Sequence, residues 1–155
     1  METDSGTGVA VLATDACWTM LRSAEVGRLG VSIAGEPDIF PVNFVVDHGT
    51  VVFRTAPGTK LASVAIGAAV AFEADGYDPE AGEAWSVVVK GRGEQITRSP
   101  ELIDTTDLPL FSWQAEEKHR FVRIVPREIS GRRLHVVDRS AWDTPLTRTR
   151  RTSLD

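Results

Sequence analysis

The chain has almost no cysteine and no long apolar segment, and it carries no excess of positive charge. Cys17 is the only cysteine among 155 residues, which excludes an intramolecular disulfide and a multi-cysteine metal site and favours a reducing compartment. The longest apolar stretch, near residues 64–72, is much shorter than the roughly 20 residues that span a bilayer. We therefore expect a cytoplasmic protein with no membrane anchor or export signal.

The charge distribution narrows the classes of partner. A formal net charge of −5 argues against broad attraction to nucleic acid or to an anionic membrane surface. The composition, 42% hydrophobic and 25% charged, is typical of one globular domain, which we predict over residues 11–140. The polar residues 1–10 are predicted to be a disordered N-terminus, and residues 141–155 a basic C-terminal tail.

Hydrophobic alternation indicates many short strands. Phe40, Val42 and Phe44 recur at every second position, the period of a half-buried strand. The pattern predicts a helix with Thr14 as its N-cap and Cys17 on its apolar face, a bulge near Gly91 and a short helix over 99–104. Strands are predicted over 28–33, 39–46, 51–55, 69–73, 84–97, 119–125 and 132–137, the last two joined by a turn at Ser130 and Gly131. Such spacing favours a mainly β protein with short helices, folded as an antiparallel barrel.

A strand-to-helix corner is the strongest chemical signal. Residues 51–64 read VVFRTAPGTKLASV: an apolar strand, a turn on Pro57 and Gly58, and then Thr59 and Lys60 at the start of a helix. Such a corner offers unpaired backbone N–H groups, a hydroxyl and an ammonium to an anion. We interpret it as a phosphate site; the alternative is an ordinary corner with a solvated Lys60.

The sequence gives little evidence for a metal site, a catalytic triad or a cysteine nucleophile. His48, His119 and His135 are scattered along the sequence, so we expect neither a metal site nor a catalytic triad. Cys17 fits a core position better than a nucleophile.

Four segments carry a family resemblance. They read GRLGVS (27–32), DIFPVNFVVDHGTVVFRTAPGTKLA (38–62), WSVVVKGRGE (85–94) and VRIVPREISGRRL (122–134). Together they resemble the split-barrel flavin-binding family related to pyridoxamine 5′-phosphate oxidase, in its short, divergent branch. The resemblance implies a six-stranded antiparallel split β-barrel that forms a homodimer, with FMN bound in clefts between the subunits.

The resemblance also implies site residues. The phosphate-side motif of the family matches Arg54, Thr55, Thr59 and Lys60. The strand beside the flavin ring matches Pro41, Val42 and Asn43, and a strand approaching from the other subunit matches Trp85, Ser86 and Val87. Asn43 interrupts the apolar face of Ile39 and Val45, where its amide could bond the ring edge; the alternative is a solvated polar residue. Trp85 could instead be a core or interface aromatic.

The function implied is transfer of hydride or electrons between FMN and a small organic substrate, with a reduced nicotinamide as donor. Arg133, Leu134 and His135 have the Arg-x-His spacing of the founding enzyme in a different context, at the start of a predicted strand, so we do not expect oxidation of pyridoxamine phosphate. Two alternatives stay open: a deazaflavin-dependent reductase on the same fold, and a non-catalytic flavin or haem module for storage or sensing. No histidine is well placed as a haem ligand.

Overall fold

The computed structural model describes residues 3–4, 8–55, 60–96 and 120–136. Its elements in chain order are β1 Thr3–Asp4, β2 Val9–Val11, α1 Thr14–Arg22, β3 Val26–Ile33, β4 Glu36–Asp47, β5 Thr50–Thr55, α2 Lys60–Ala65, β6 Ala69–Asp78, β7 Glu83–Gln95 and β8 Arg120–His135. The helix predicted over 99–104 and the tail 141–155 lie outside the described residues. Neither α1 nor α2, the helices of the described ranges, has the length and apolar character needed to cross a bilayer.

Six strands close into a ring. The sheet order is β8-β5-β4-β3-β6-β7, and β7 pairs with β8 again; every ladder of the ring is antiparallel. The predicted six-stranded antiparallel barrel is thus confirmed, with two short strands, β1 and β2, added outside the ring along β8. Because Val9 and Ala10 pair with Leu134 and Arg133, strand structure begins before the predicted domain boundary at residue 11.

The interior of the barrel is apolar because alternate residues of each strand face inward. Val42 and Phe44 on β4 are 4% and 3% exposed, and the ring of Phe44 meets that of Phe72 edge-on at 4.8 Å. Burial of each such side chain contributes about 1.5–3 kcal/mol. The fully buried side chains that share this core include Leu29, Val51, Phe53, Phe72, Val87, Val89, Val122 and Ile124.

Helix α1 packs against the barrel core through Cys17 and Leu21, both fully buried. Cys17 is therefore a core residue, as predicted, and burial raises the pKa of its thiol. The N-cap prediction was wrong by one residue: Ala13 is the cap, with an extended backbone and no side-chain hydrogen bond, and Thr14 is already helical.

Strand β8 corrects the prediction of two strands joined at Ser130 and Gly131. These residues pair with Val88 and Val87 in one continuous ladder. A side chain at Gly131 would place its Cβ 2.7 Å from the sulfur of Cys17, a separation that real Cβ atoms do not show. The glycine at 131 therefore allows α1 to approach the sheet closely, and it does not mark a turn.

The C-terminal part of β7 pairs irregularly with β8 and contacts the residues that follow α2. The register of β7 against β8 shifts between Lys90 and Gly91, as the glycines in this stretch predict. Beyond the bulge, the Gly93 N–H donates to the Ala68 carbonyl at 3.1 Å, and the Gly93 carbonyl accepts from Gly67 N–H at 2.7 Å. These bonds fix the chain that follows α2 against β7.

Candidate functional site

The predicted phosphate corner begins at the end of β5. Thr55 is 6% exposed and pairs with Arg120 on β8, and Lys60 is the first residue of α2, where the sequence places the start of a helix. Thr59 and the rest of residues 56–59 lie outside the described residues. Strand β5 and helix α2 are therefore where the motif requires them.

Arg54 carries an unsatisfied donor at this corner. Its guanidinium carbon lies 5.5 Å from the centre of the Phe121 ring, within the range of a cation–π contact. Its Nε is buried and has no hydrogen-bond partner among the described residues. A buried donor without a partner costs free energy, so an acceptor supplied by a ligand would relieve this cost.

Asn43 lies on the outer face of β4, opposite in direction to the buried Val42. Its side-chain amide donates to the Glu25 carbonyl at 3.4 Å, and the same carbonyl accepts the Phe44 backbone N–H at 3.1 Å. Phe44 and Phe53 form the last pair of the β4–β5 ladder, so Asn43 and Arg54 are the next residues on neighbouring strands. The structure therefore places these two predicted site residues on neighbouring strands, just beyond the end of the β4–β5 ladder.

The three predicted site residues on β7 have different surroundings. Trp85 sits directly opposite Gly76 on β6, where any Cβ on Gly76 would clash with the indole ring. Ser86 is half-buried between Asp75 and Arg132 on the neighbouring strands. Val87 is fully buried in the barrel core, between Ala74 and Gly131 on the neighbouring strands.

Trp85 lines a cleft of about 650 Å³ on the outside of the barrel. The wall contains Tyr77, whose side chain is largely exposed. Its charged residues are Glu25, Asp75, Asp78, Glu83, Arg28 and Arg133. With four carboxylates against two guanidinium groups, this cleft does not favour a phosphate, which separates it chemically from the β5–α2 corner.

One wall of the cleft holds a compact charge cluster. Arg28 Nη1 lies 3.5 Å from a carboxylate oxygen of Glu73 and 3.5 Å from one of Asp75. Burial, followed by the hydrogen bond and the like charge of the adjacent Asp75, raises the pKa of Glu73 to about 7, although the positive charge of Arg28 opposes these effects. The described residues, this cluster included, contain no group of three histidine, cysteine, aspartate or glutamate side chains that could hold a metal ion.

Comparison with known proteins identifies the family. The family model described as pyridoxamine 5′-phosphate oxidase matches residues 13–133, which include the barrel except the last two residues of β8. The chain belongs to the pyridoxamine 5′-phosphate oxidase family. The resemblance noted from the four sequence segments is thereby confirmed.

Three relatives illustrate the breadth of this family. The FAD binding protein from Mycobacterium smegmatis is 40% identical, with a TM-score of 0.73 over 81% of this chain and 99% of that one. A conserved protein of unknown function from Corynebacterium diphtheriae is 36% identical, with a TM-score of 0.68 over 81% and 97%. An uncharacterised protein of Mycobacterium tuberculosis is 34% identical over 132 residues, 81% of this chain and 86% of that one.

Within this family member, the predicted site residues form two groups. Thr55 pairs with Arg120 and Trp85 with Arg133, at opposite ends of β8. On one side of the ring, β8 alone lies between β5 and β7. On the other side, β4, β3 and β6 lie between them, so that β5 and β7 are about 20 Å apart along the sheet at the usual strand spacing. Asn43 lies between the groups, because the Glu25 that accepts its hydrogen bond also lines the Trp85 cleft.

The position predicted for the Arg-x-His element was wrong. Arg133 and His135 lie at the end of β8 and not at the start of a strand. Arg133 lines the cleft, with its Nη2 3.8 Å from the sulfur of Met20, whereas His135 is exposed.

Sequence reasoning missed the Arg28–Glu73–Asp75 cluster. A usable local signal was present, since Phe72 and Ala74 alternate with Glu73 and Asp75 and so put both carboxylates on one face of β6. What no local pattern supplies is the β3–β6 ladder, in which Arg28 pairs with Glu73.

Proposed function

We propose that this family member binds a flavin nucleotide, with the flavin phosphate at the β5–α2 corner. The observation that carries the proposal is the 40% identity to the FAD binding protein from Mycobacterium smegmatis, over 99% of that chain. FMN is the cofactor that the sequence motifs imply, and FAD is the one named for the relative. Both contain the same ring system and the same ribityl phosphate, which is the part that the corner would hold.

The residues of the corner fit a phosphate. Arg54 offers the buried Nε that has no partner within the described residues, Thr55 contributes a hydroxyl at the end of β5, and Lys60 opens α2. Charge-assisted donors of this kind form the strongest hydrogen bonds to a dianionic phosphate. In this proposal Thr59 completes the donor set.

The ring would lie along the outer edge of β4. Pro41 is exposed and pairs with Arg28, and Asn43 projects to the same outer side of the barrel wall. The Asn43 amide makes one hydrogen bond to Glu25, and an amide has further donor and acceptor capacity. Asn43 would thus bond the polar edge of the ring, while the Pro41–Val42 backbone would position it.

A homodimer would complete the pocket. In one chain, Arg54 pairs with Phe121 near one end of β8 and Trp85 pairs with Arg133 near the other end, so one planar ring does not reach from the corner to the indole. A second copy of the chain would supply Trp85 and Ser86 to the ring bound on the first. This proposal places the cofactor between two subunits.

The bound flavin would supply hydride or electron transfer, and we propose a reduced nicotinamide as donor and a small organic molecule as acceptor. The chain's residues would bind and orient the cofactor and exclude water. No side chain is assigned a proton-transfer role.

The deciding experiment is identification of the chromophore. The protein is purified without added cofactor, its visible spectrum is recorded, and the chromophore is released and weighed by mass spectrometry. FMN or FAD supports the proposal, whereas deazaflavin, haem or a colourless protein that binds neither FMN nor FAD overturns it. Stoichiometric flavin that no reduced nicotinamide bleaches under anaerobic conditions would replace the oxidoreductase with a storage or sensor protein.

Arg54 gives a sharper test of the phosphate site. Arg54→Met retains the aliphatic contact with Phe121 and removes the donors, so flavin should bind at least tenfold more weakly, as expected for loss of a hydrogen bond to a charged group, about 1.5–3 kcal/mol. Arg92→Met, on the exposed part of β7, is the matched control. Equal flavin affinity in the two variants would place the phosphate elsewhere.

A further inference from the structure

Two carboxylates on β6 share one guanidinium nitrogen on β3. Arg28 Nη1 lies 3.5 Å from Glu73 Oε2 and 3.5 Å from Asp75 Oδ2. Glu73 and Asp75 are two residues apart on one strand, so their side chains project from the same face. With both carboxylates ionised, the cluster carries one negative charge that Arg28 does not balance.

The two carboxylates differ in exposure to water. The Glu73 side chain is 32% exposed and that of Asp75 is 50% exposed, and the Glu73 Oε1 atom is buried without a hydrogen-bond partner among the described residues. An ionised oxygen in that position loses hydration and gains no donor, which disfavours the charged form. The geometry therefore favours a proton on Glu73.

The other neighbours of Glu73 do not supply the missing charge. On β3 it faces Arg28, and on β7 it faces the apolar Val88. Two charged residues of β7 lie on the same face within the β6–β7 ladder: Lys90, opposite Ala71 and one diagonal step away, and Arg92, opposite Ala69; both are exposed. Among the described residues, the ion pair of Glu73 is the one with Arg28.

We propose that Glu73 and Asp75 form a proton-storing pair, in which Glu73 carries a single proton that it shares with Asp75 and whose release changes the charge beside the cleft by one unit. The negative charge of Asp75 opposes ionisation of Glu73, because like charges held this close repel each other. With the proton bound, Arg28 balances the remaining carboxylate. After its release, ionised Glu73 adds one negative charge beside the cleft wall formed by Arg28 and Asp75, which favours a cationic group in the cleft.

The pair also makes folding pH-dependent. The pKa of Glu73 is about 7 in the folded chain against an ordinary value of 4.5, so the folded state binds the proton more tightly than the unfolded state. Stability is therefore highest at the acidic end of this window and falls as the pH rises from 4.5 towards 7 and past it.

The direct test is a carboxyl titration of the wild-type protein by NMR with carbon-13-labelled glutamate, with Glu73→Gln used to assign the signal. We expect the Glu73 carboxyl to titrate near neutral pH and its midpoint to move towards 4.5 in Asp75→Asn, where the like charge is removed. An ordinary midpoint for Glu73 in the wild-type protein would overturn the proposal.

Thermal unfolding between pH 5 and pH 8 gives a second, independent readout. The melting temperature of Glu73→Gln should fall less over this range than that of the wild type. Glu80→Gln removes the same charge from an exposed residue in the turn between β6 and β7, and it should keep the wild-type slope. Parallel slopes in all three proteins would contradict a shared proton at Glu73.

Discussion

Arg123 on β8 reaches past the intervening strand β5 to the carboxylate of Asp47 on β4, with 3.1 Å between Nη2 and Oδ2. Its other terminal nitrogen donates to the Asp47 carbonyl at 3.2 Å and to the Thr50 hydroxyl. The two side chains are only 16% and 17% exposed. One guanidinium thus ties the β4–β5 hairpin to β8, close to the turn residues His48 and Gly49, both of which have positive φ.

Arg123→Met should destabilise the fold. The substitution leaves the largely buried Asp47 carboxylate without its guanidinium partner, and loss of a charged hydrogen bond costs about 1.5–3 kcal/mol. Chemical denaturation with urea measures the difference. Arg92→Met, which changes an exposed arginine, should remain close to wild type, and equal losses in the two variants would contradict a special role for Arg123.

Acid unfolding should depend on the same pair. Burial by itself would raise the pKa of Asp47, but hydrogen bonds from His48 and Arg123 outweigh it and lower that pKa below 3.8. The contribution of Asp47 to stability is therefore present above pH 3.8 and is lost as the pH falls through the lower folded value. Asp47→Asn should have a flatter stability profile in this acidic range, measured by circular dichroism. An unchanged slope would show that Asp47 does not contribute.

Gly131→Ala should destabilise the contact between α1 and the barrel. The added Cβ would lie 2.7 Å from Cys17 Sγ and 3.1 Å from Leu12 Cδ1, and overpacking of this kind costs about 1–3 kcal/mol. Gly30→Ala, whose nearest neighbour would be 3.5 Å away, is the matched control for thermal unfolding. Because Cys17→Ala removes the sulfur, the double variant should recover part of the loss, and strictly additive losses would exclude this steric explanation.

Lys60→Ala should weaken binding of flavin if the proposed phosphate site is right. We expect a loss of about 1.5–3 kcal/mol, the magnitude of a hydrogen bond to a charged group, with the apoprotein still folded. Lys90→Ala, on the outer face of β7, removes the same charge from an exposed strand position and should bind flavin normally. Fluorescence titration with FMN and with FAD provides both affinities; a normal affinity for Lys60→Ala would count against the corner.

Asn43→Leu should alter the bound flavin more than the fold. The substitution removes the hydrogen bond to the Glu25 carbonyl, but that carbonyl still accepts the Phe44 N–H, so the loss of stability should be small. A shifted absorption spectrum or reduction potential is expected because the amide would no longer bond the ring edge. Identical spectra in the two proteins would place Asn43 away from the ring.

The sequence by itself determined the local structure of the barrel. Alternation at Phe40, Val42 and Phe44 predicted the inward face of β4, and the glycines after Lys90 predicted where the pairing of β7 is irregular, although the extra residue of the bulge, Arg127, lies on β8. Lys60 opens a helix where the corner pattern placed it. These features follow from side-chain period and backbone freedom, which act within a few residues and are therefore visible in a linear pattern.

Only the tertiary structure decided which residues meet. The sequence predicts a turn at Gly131, whereas the structure shows that this residue is constrained by the sulfur of Cys17, which lies more than a hundred positions away in the chain. The pairing of β3 with β6, which brings Arg28 to Glu73 and Asp75, also depends on closure of the whole ring. Such contacts are set by strand order and register, because these decide which distant side chains share a face, and neither is written in a local pattern.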